Sequence, residues 1–326
     1  MFSGRDMREP APCSAHPAPR VRYAAPDTAP GDGTLAVLRF RTAPSPDDPR
    51  VLHVPFAPLG EAMDEYWEVE GPVTSGRDGG LRWARGGGWL FAAIDVLESD
   101  HGGPENAAAF AYEALSRRVS AGPERHVQRI WNYLGAINEG DGDDERYKHF
   151  CTGRIRGMGE VFAQGFPAAS ALGHHGNADL LQVYLLATDQ TGTRVENPRQ
   201  VSAWRYPRQY GRTPPSFARA TMLPCDDVLA ISGTAAVVGH ASAHVGDIDA
   251  QLEETARNLD ALLESAGLPA GFHARDPLKA YVRHAEHADT VRAFVENRWP
   301  GTPLLMVLGD VCRRELLVEI DGWRYR

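Results

Sequence analysis

The densest chemistry in this 326-residue chain lies in Arg205-Tyr206-Pro207-Arg208-Gln209-Tyr210-Gly211. Arg199, Arg212 and Arg219 fall close by, in a chain whose net charge is −9. Such clustering goes against the charge balance of the whole. Guanidinium forks grip carboxylates or phosphates in bidentate fashion, and tyrosine hydroxyls add orienting hydrogen bonds. One reading is an anion-binding wall for a small acid. The other is a structural loop whose arginines pair with acidic neighbours.

A second signal is Glu319, set inside the apolar run LLVEIDG. Strand alternation puts Leu317 and Glu319 on one face, with Val318 and Ile320 on the other. A carboxylate on an apolar face is costly unless paired or protonated. That makes Glu319 a candidate general acid with a raised pKa. An edge-strand glutamate facing water would explain the same letters. Cys312 lies seven residues earlier, with no activating base in view, and reads as pocket wall rather than nucleophile. Arg283, in LKAYVRH, would share a sheet with Glu319 and could face the same cleft.

Other motifs are weaker. SGTAAVVG (232–239), with Gly233, Thr234 and Ala235, is a small-residue turn that permits close backbone approach. It lacks the lysine of a P-loop and the spacing of a dinucleotide fingerprint. His240 and His244 are four apart before Asp247, a spacing that suits capping or packing better than zinc without an HExxH. GxSxG is absent.

The elements that must position these groups alternate. Strands are predicted over 86–96, 125–134, 168–173 and 180–188, with helices over 105–119 and 143–162. The second half repeats the order, with strands at 227–239, 278–284, 303–310 and 315–322 and helices at 248–267 and 288–299. In the 248–267 helix Ile248, Leu252, Leu259, Leu262 and Leu263 share a face, and Gly267 stops it. The shared order predicts an internal duplication of two α+β units. The expected domains are a loose arm over 1–20, a first unit over 21–195 and a second over 196–326.

Composition bounds the function. Hydrophobic residues make up 43% and charged residues 24%, ordinary for a globular protein. No apolar run approaches ~18 residues, so no membrane span is expected. The acidic balance disfavours nucleic-acid binding. Cysteines 13, 151, 225 and 312 form no CxxC pair and fit a reducing cytoplasm.

ENPRQVSAWRYPRQYG, PPSFARA, SGTAAVVGHAS, LKAYVR and CRRELLVEIDG closely resemble the chorismatases, as does RIWNYLGAINEGDGDDERYKHFCTGR in the first half. The SGT turn, the YVR strand and the final VEI strand also resemble the RidA (YjgF-like) fold. The resemblance implies two RidA-like halves in tandem and an enzyme that cleaves the enolpyruvyl ether of chorismate. It implies no cofactor and no metal. Glu319 would be the proton donor. Arg154, Arg205, Tyr206, Arg208, Tyr210, Arg219 and Arg283 would match substrate-contacting positions. Cys312 resembles the branch that forms hydroxybenzoates, which implies 3-hydroxybenzoate first, 4-hydroxybenzoate beside it and a dihydrodiol as the alternative. From another class, a RidA-like imine deaminase or a non-catalytic acid binder keeps the same fold. Leu304 stands where RidA proteins carry their carboxylate-holding arginine, which counts against the deaminase. Monomer and trimer both stay open.

Overall fold

The computed structural model describes residues 16–163, 165–224 and 228–326. Residues 1–15 of the expected arm over 1–20, with Cys13, and the start of the expected 227–239 strand, with Cys225 before it, lie outside the described residues. The described part of that arm lies against the folded body: His16 Nε2 is 3.7 Å from Asp189 Oδ2, the Pro17 carbonyl accepts from Trp89 Nε1 at 2.8 Å, and Arg20 opens the first strand.

Two seven-stranded sheets face each other. The first runs, in spatial order, Thr74–Asp78, Leu81–Gly86, Trp89–Leu97, Leu180–Thr188, His126–Gly135 and Ala168–His174. The second runs Thr193–Val195, Ala220–Met222, Val228–Thr234, Val318–Tyr325, Leu278–Val282 and Leu304–Leu308. Numbered by chain position within each half, both sheets read 1-2-3-6-4-5. In both, strands 4 and 5 are the parallel pair. A right-handed crossover helix is the usual link for such a pair. Here α2 (Arg146–Met158) and α4 (Ala288–Arg298) make the links, while α1 (Pro104–Ser120) and α3 (Ile248–Ser265) follow strand 3 of each half. The repeated α+β architecture expected from the sequence is therefore present.

Each half also lends the other a short seventh strand. Asp310–Val311 pairs with Ala168–His174 of the first sheet, and Ala57–Pro58 pairs with Leu304–Leu308 of the second. A four-stranded sheet (Arg20–Ala24, Asp64–Glu68, Thr34–Phe40, Val51–Val54) completes the first half.

Periodicity explains the layering. α3 opens on Asp247, whose Oδ1 accepts from Ala250 N at 3.0 Å, and buries Leu252, Leu259, Leu262 and Leu263 against the second sheet. α1 and α2 cover the first sheet, and they approach closely because α2 carries glycine at the contact. A Cβ at Gly153 would lie 1.8 Å from Glu105 O. The expected 143–162 helix is thus shorter, flanked by single 3-10 turns.

Between the sheets lies an aromatic layer: Trp67, Phe91, Trp131, Tyr184, Tyr281 and Trp323. Trp131 stacks on Tyr184 at 5.0 Å. Its polar atoms are paired, as burial demands. Tyr133 OH bonds both Tyr184 OH (2.9 Å) and Tyr281 OH (2.7 Å), and Lys279 Nζ meets Glu65 Oε2 at 2.7 Å.

Candidate active site

The site grows from the last strand. Alternation along Val318–Tyr325 sends Val318 and Ile320 toward the helices. Asp321 and Trp323 point into the space between the sheets, and Glu319 lies on that same face. The neighbouring strand bulges here, stepping from Ile231 opposite Gly322 to Thr234 opposite Ile320. Gly233, on the bulge, lies flat against the Glu319 carboxyl. A Cβ at this position would fall 1.7 Å from Glu319 Oε1. Only glycine leaves that volume to the carboxyl.

Glu319 is 6% exposed, and no described residue hydrogen-bonds its carboxyl. Burial pushes its pKa up to about 8, with the Asp321 carboxylate adding to the rise. Arg129, Arg219 and Arg313 pull the other way without reversing it. The side chain is thus a neutral acid at pH 7, a state that desolvation favours for a carboxyl.

A cavity of about 260 Å³ opens over it. Its cationic wall is built on tyrosines. Arg313 lies over the Tyr210 ring at 4.1 Å and the Tyr206 ring at 5.1 Å, while Arg219 Nη2 donates to Tyr206 OH at 2.7 Å. Arg219 Nε is buried without a partner among the described residues. The facing wall comes from the other half: Glu145, Tyr147 and Lys148 at the start of α2. Ala235 and Cys312 close the end beside Gly233 and Glu319. Burial pushes the Cys312 thiol up to about 12, so it stays protonated. The cavity therefore joins one neutral acid to a guanidinium-rich surface, an arrangement that can hold an anionic substrate and give it a proton.

Of the residues singled out in the sequence, Glu319, Cys312, Tyr206, Tyr210, Arg219, Gly233 and Ala235 line this cavity. Thr234 sits beside it, its hydroxyl turned to Ser232 O at 3.0 Å. Arg154 is buried in the first half, 5.3 Å from the Tyr112 ring, with Nε and Nη2 unpartnered among the described residues. It is not on the cavity wall.

Three more arginines are likewise not brought to the cavity. Arg205 is exposed on the outer side of its 3-10 turn. Arg208 clasps Asp143 with two hydrogen bonds of 2.8 and 2.6 Å, tying its segment to the first half. Arg283 spends its donors on Leu316 O, Asn138 Oδ1, Asp310 Oδ1, Val311 O and Arg313 O. It shapes the loop that carries Cys312 and Arg313 and has nothing left to offer a ligand. Sequence reasoning also passed over Arg313, Tyr147 and Lys148. Arg313 was signalled only by its place in the motif CRRELLVEIDG.

Comparison with known proteins agrees with this geometry. A family model described as Chorismatase FkbO/Hyg5-like, N-terminal, matches residues 65–187. A chorismatase of Streptomyces hygroscopicus is 36% identical over 275 residues, covering 80% of this chain and 79% of the relative. A 3-hydroxybenzoate synthase of Streptomyces hygroscopicus is 34% identical over 285 residues, covering 82% of each. A chorismatase crystal structure superposes with a TM-score of 0.83 at 30% identity, covering 95% of this chain and 99% of that one.

Proposed function

This chain belongs to the chorismatase family, and from that membership we propose that it cleaves chorismate to pyruvate and 3-hydroxybenzoate. One observation carries the reading: Glu319 is buried with no hydrogen-bond partner among the described residues, burial raises its pKa to about 8, and it faces a cavity walled by arginine. Chorismate carries two carboxylates and an enolpyruvyl ether, so it suits both features.

Arg219, Arg313 and the hydroxyls of Tyr206 and Tyr210 hold the dianion. Binding adds negative charge near Glu319, which keeps the acid neutral until it reacts. Glu319 then gives its proton to the terminal methylene carbon of the enol ether. The electron deficiency falls on the ether carbon, where the ring-side oxygen shares it. The new Glu319 carboxylate lies close enough to stabilise that cation in a site of low dielectric. Pyruvate departs with the ether oxygen as the ring C3–O bond breaks, and the neighbouring C4 hydroxyl oxygen bonds to C3 in its place, its proton passing to the Glu319 carboxylate. The resulting epoxide opens at C4 and the ring loses its C3 hydrogen as a proton, which the oxygen takes up, to give 3-hydroxybenzoate. Pyruvate and 3-hydroxybenzoate together contain the atoms of chorismate, so no water is consumed overall and no oxidant is required.

The dihydrodiol outcome, by contrast, needs a water retained in the product. Ala235 and the un-ionised Cys312 thiol at this end of the cavity offer water little to hold it. That favours the aromatic product, in line with the relative named as a 3-hydroxybenzoate synthase. Both halves contribute to the site within one chain, so a single copy contains every residue named here.

The test is pyruvate release from purified protein and chorismate, with the aromatic product separated by chromatography. Wild type should yield 3-hydroxybenzoate. Glu319→Gln should still bind substrate but lose ~100-fold to ~10,000-fold in turnover. Near-normal turnover in that variant removes Glu319 from the mechanism, and a dihydrodiol as sole product removes the product assignment.

A further inference from the structure

Beneath Glu319, between the two sheets, lies a buried polar cluster whose residues do not line the cavity. Asp321 Oδ2 accepts from Ser170 Oγ at 2.8 Å, Trp131 Nε1 at 3.0 Å, Arg129 Nη2 at 3.1 Å and Tyr281 OH at 3.1 Å. Arg129 Nη2 also reaches Ser170 Oγ at 2.6 Å. Ser170 Oγ in turn accepts from Gly233 N at 2.9 Å, on the bulge that presses against the Glu319 carboxyl. Asp321 and Arg129 are each almost fully buried, at 2% and 1% exposure.

Packing alone does not call for this arrangement. A buried ion pair contributes little net stability compared with apolar residues of the same size. The surrounding layer is aromatic and would accept them. The pair is placed where it acts on one group: Asp321 shares a strand face with Glu319, two residues away, so their Cα atoms lie roughly 6–7 Å apart.

We propose that Asp321, Arg129 and Ser170 form the positioning unit of the active site: Ser170 pins the Gly233 bulge against the Glu319 carboxyl, and the Asp321 carboxylate disfavours a second negative charge beside it. The proposal rests on Glu319 being the proton donor. Other charged and titratable groups face Glu319 from each neighbouring element. Arg219 stands beside the bulge, and Arg313 and Cys312 belong to the preceding loop. Tyr281 is opposite on the adjacent strand. Glu145, Tyr147 and Lys148 face it across the cavity, with Arg314 and Glu315 at the rim. None of these is altered by the test.

The test is the pH profile of kcat/KM between pH 5.5 and 9.5, measured by pyruvate release on the full chain. Activity requires the protonated acid, so it falls as pH rises through the pKa of Glu319. Asp321→Asn removes the repelling charge and leaves Arg129, so the falling limb should move about one to two pH units toward acid. Arg129→Gln removes the opposing cation, so the limb should move toward alkali. A merely structural role would lower the whole profile and leave the limb in place. Limbs that stay at the wild-type pH in both variants overturn the proposal. Where Asp321→Asn does not fold, Arg129→Gln decides alone by the same criterion. The two readings separate cleanly. An active Glu319→Gln variant removes the acid assignment and this inference together, whereas an inactive one with unmoved limbs removes only the inference.

Discussion

Gly233→Ala is the sharpest perturbation the site allows. The added methyl would sit 1.7 Å from Glu319 Oε1, 2.6 Å from Cδ and 3.2 Å from Cγ. Ordinary carbon–oxygen contact begins near 3.4 Å, so the carboxyl must retreat by roughly 1.5–2 Å. Misplacing a reacting group by about 1 Å costs on the order of a hundredfold in rate. We therefore expect kcat to fall at least about a hundredfold, equivalent to ~2.7 kcal/mol of barrier. KM should change little, because Arg219, Arg313, Tyr206 and Tyr210 are untouched. Overpacking also costs stability, typically ~1–3 kcal/mol, and must be separated from the catalytic effect. Gly322→Ala supplies the control. Its Cβ would meet Pro277 O at 2.5 Å and Leu278 Cδ2 at 2.7 Å, on the same strand but away from the acid. It should lower the melting temperature without lowering kcat in the surviving folded enzyme. The assay is coupled pyruvate release at saturating chorismate, with circular dichroism to fix the folded fraction. A folded Gly233→Ala enzyme with kcat within about threefold of wild type would refute the close-contact reasoning.

Two further outcomes are expected. Arg219→Ala and Arg313→Ala should each raise KM well above the effect of Arg208→Ala, since Arg208 is exposed and paired with Asp143 rather than facing the cavity; equal effects from all three would show that the wall is wrongly drawn. Cys312, held as a thiol by burial, should resist iodoacetamide at pH 7.5, as followed by peptide mass spectrometry; rapid alkylation there would contradict its environment.

Much of the fold was legible because it is written in periodicity. The strand–helix alternation from residue 86 onward shows in apolar spacing, and the α3 stripe of leucines shows most clearly of all. The strands Thr74–Asp78, Leu81–Gly86, Thr193–Val195 and Ala220–Met222 escaped notice. They are short, and the first is polar throughout and largely exposed, so no alternation marks it. Glu319 was legible for the opposite reason: a charge inside an apolar strand demands an explanation. The arginines were harder. Composition cannot tell Arg219, turned inward onto Tyr206, from Arg208, turned outward onto Asp143, because the difference lies in which side of a loop each one leaves. Tyr147 and Lys148 belong to the other half, and only tertiary folding brings them within reach of Glu319.

The repeated strand order also allows corresponding strands of the two halves to be compared. Tyr281 stands opposite Glu319 across strands 4 and 6 of the second half, and Tyr133 stands opposite Gln182 in the first. Gln182 thus faces a tyrosine from strand 6 of its half, as Glu319 does from strand 6 of the other. Its amide donates to Asp95 Oδ1 at 2.8 Å and to His53 O at 2.9 Å. Nearby, Arg82 donates to Val51 O at 2.6 Å. Where the second half has a cavity over Glu319, the first sets the backbone of the Val51–Val54 strand against Gln182. An amide has no acidic hydrogen to hand to carbon, and this one is held by the backbone beside it. On the proposed chemistry the twin units have parted ways: among the described residues the second half carries the acid, and its sibling half lends Glu145, Tyr147 and Lys148 to the far wall.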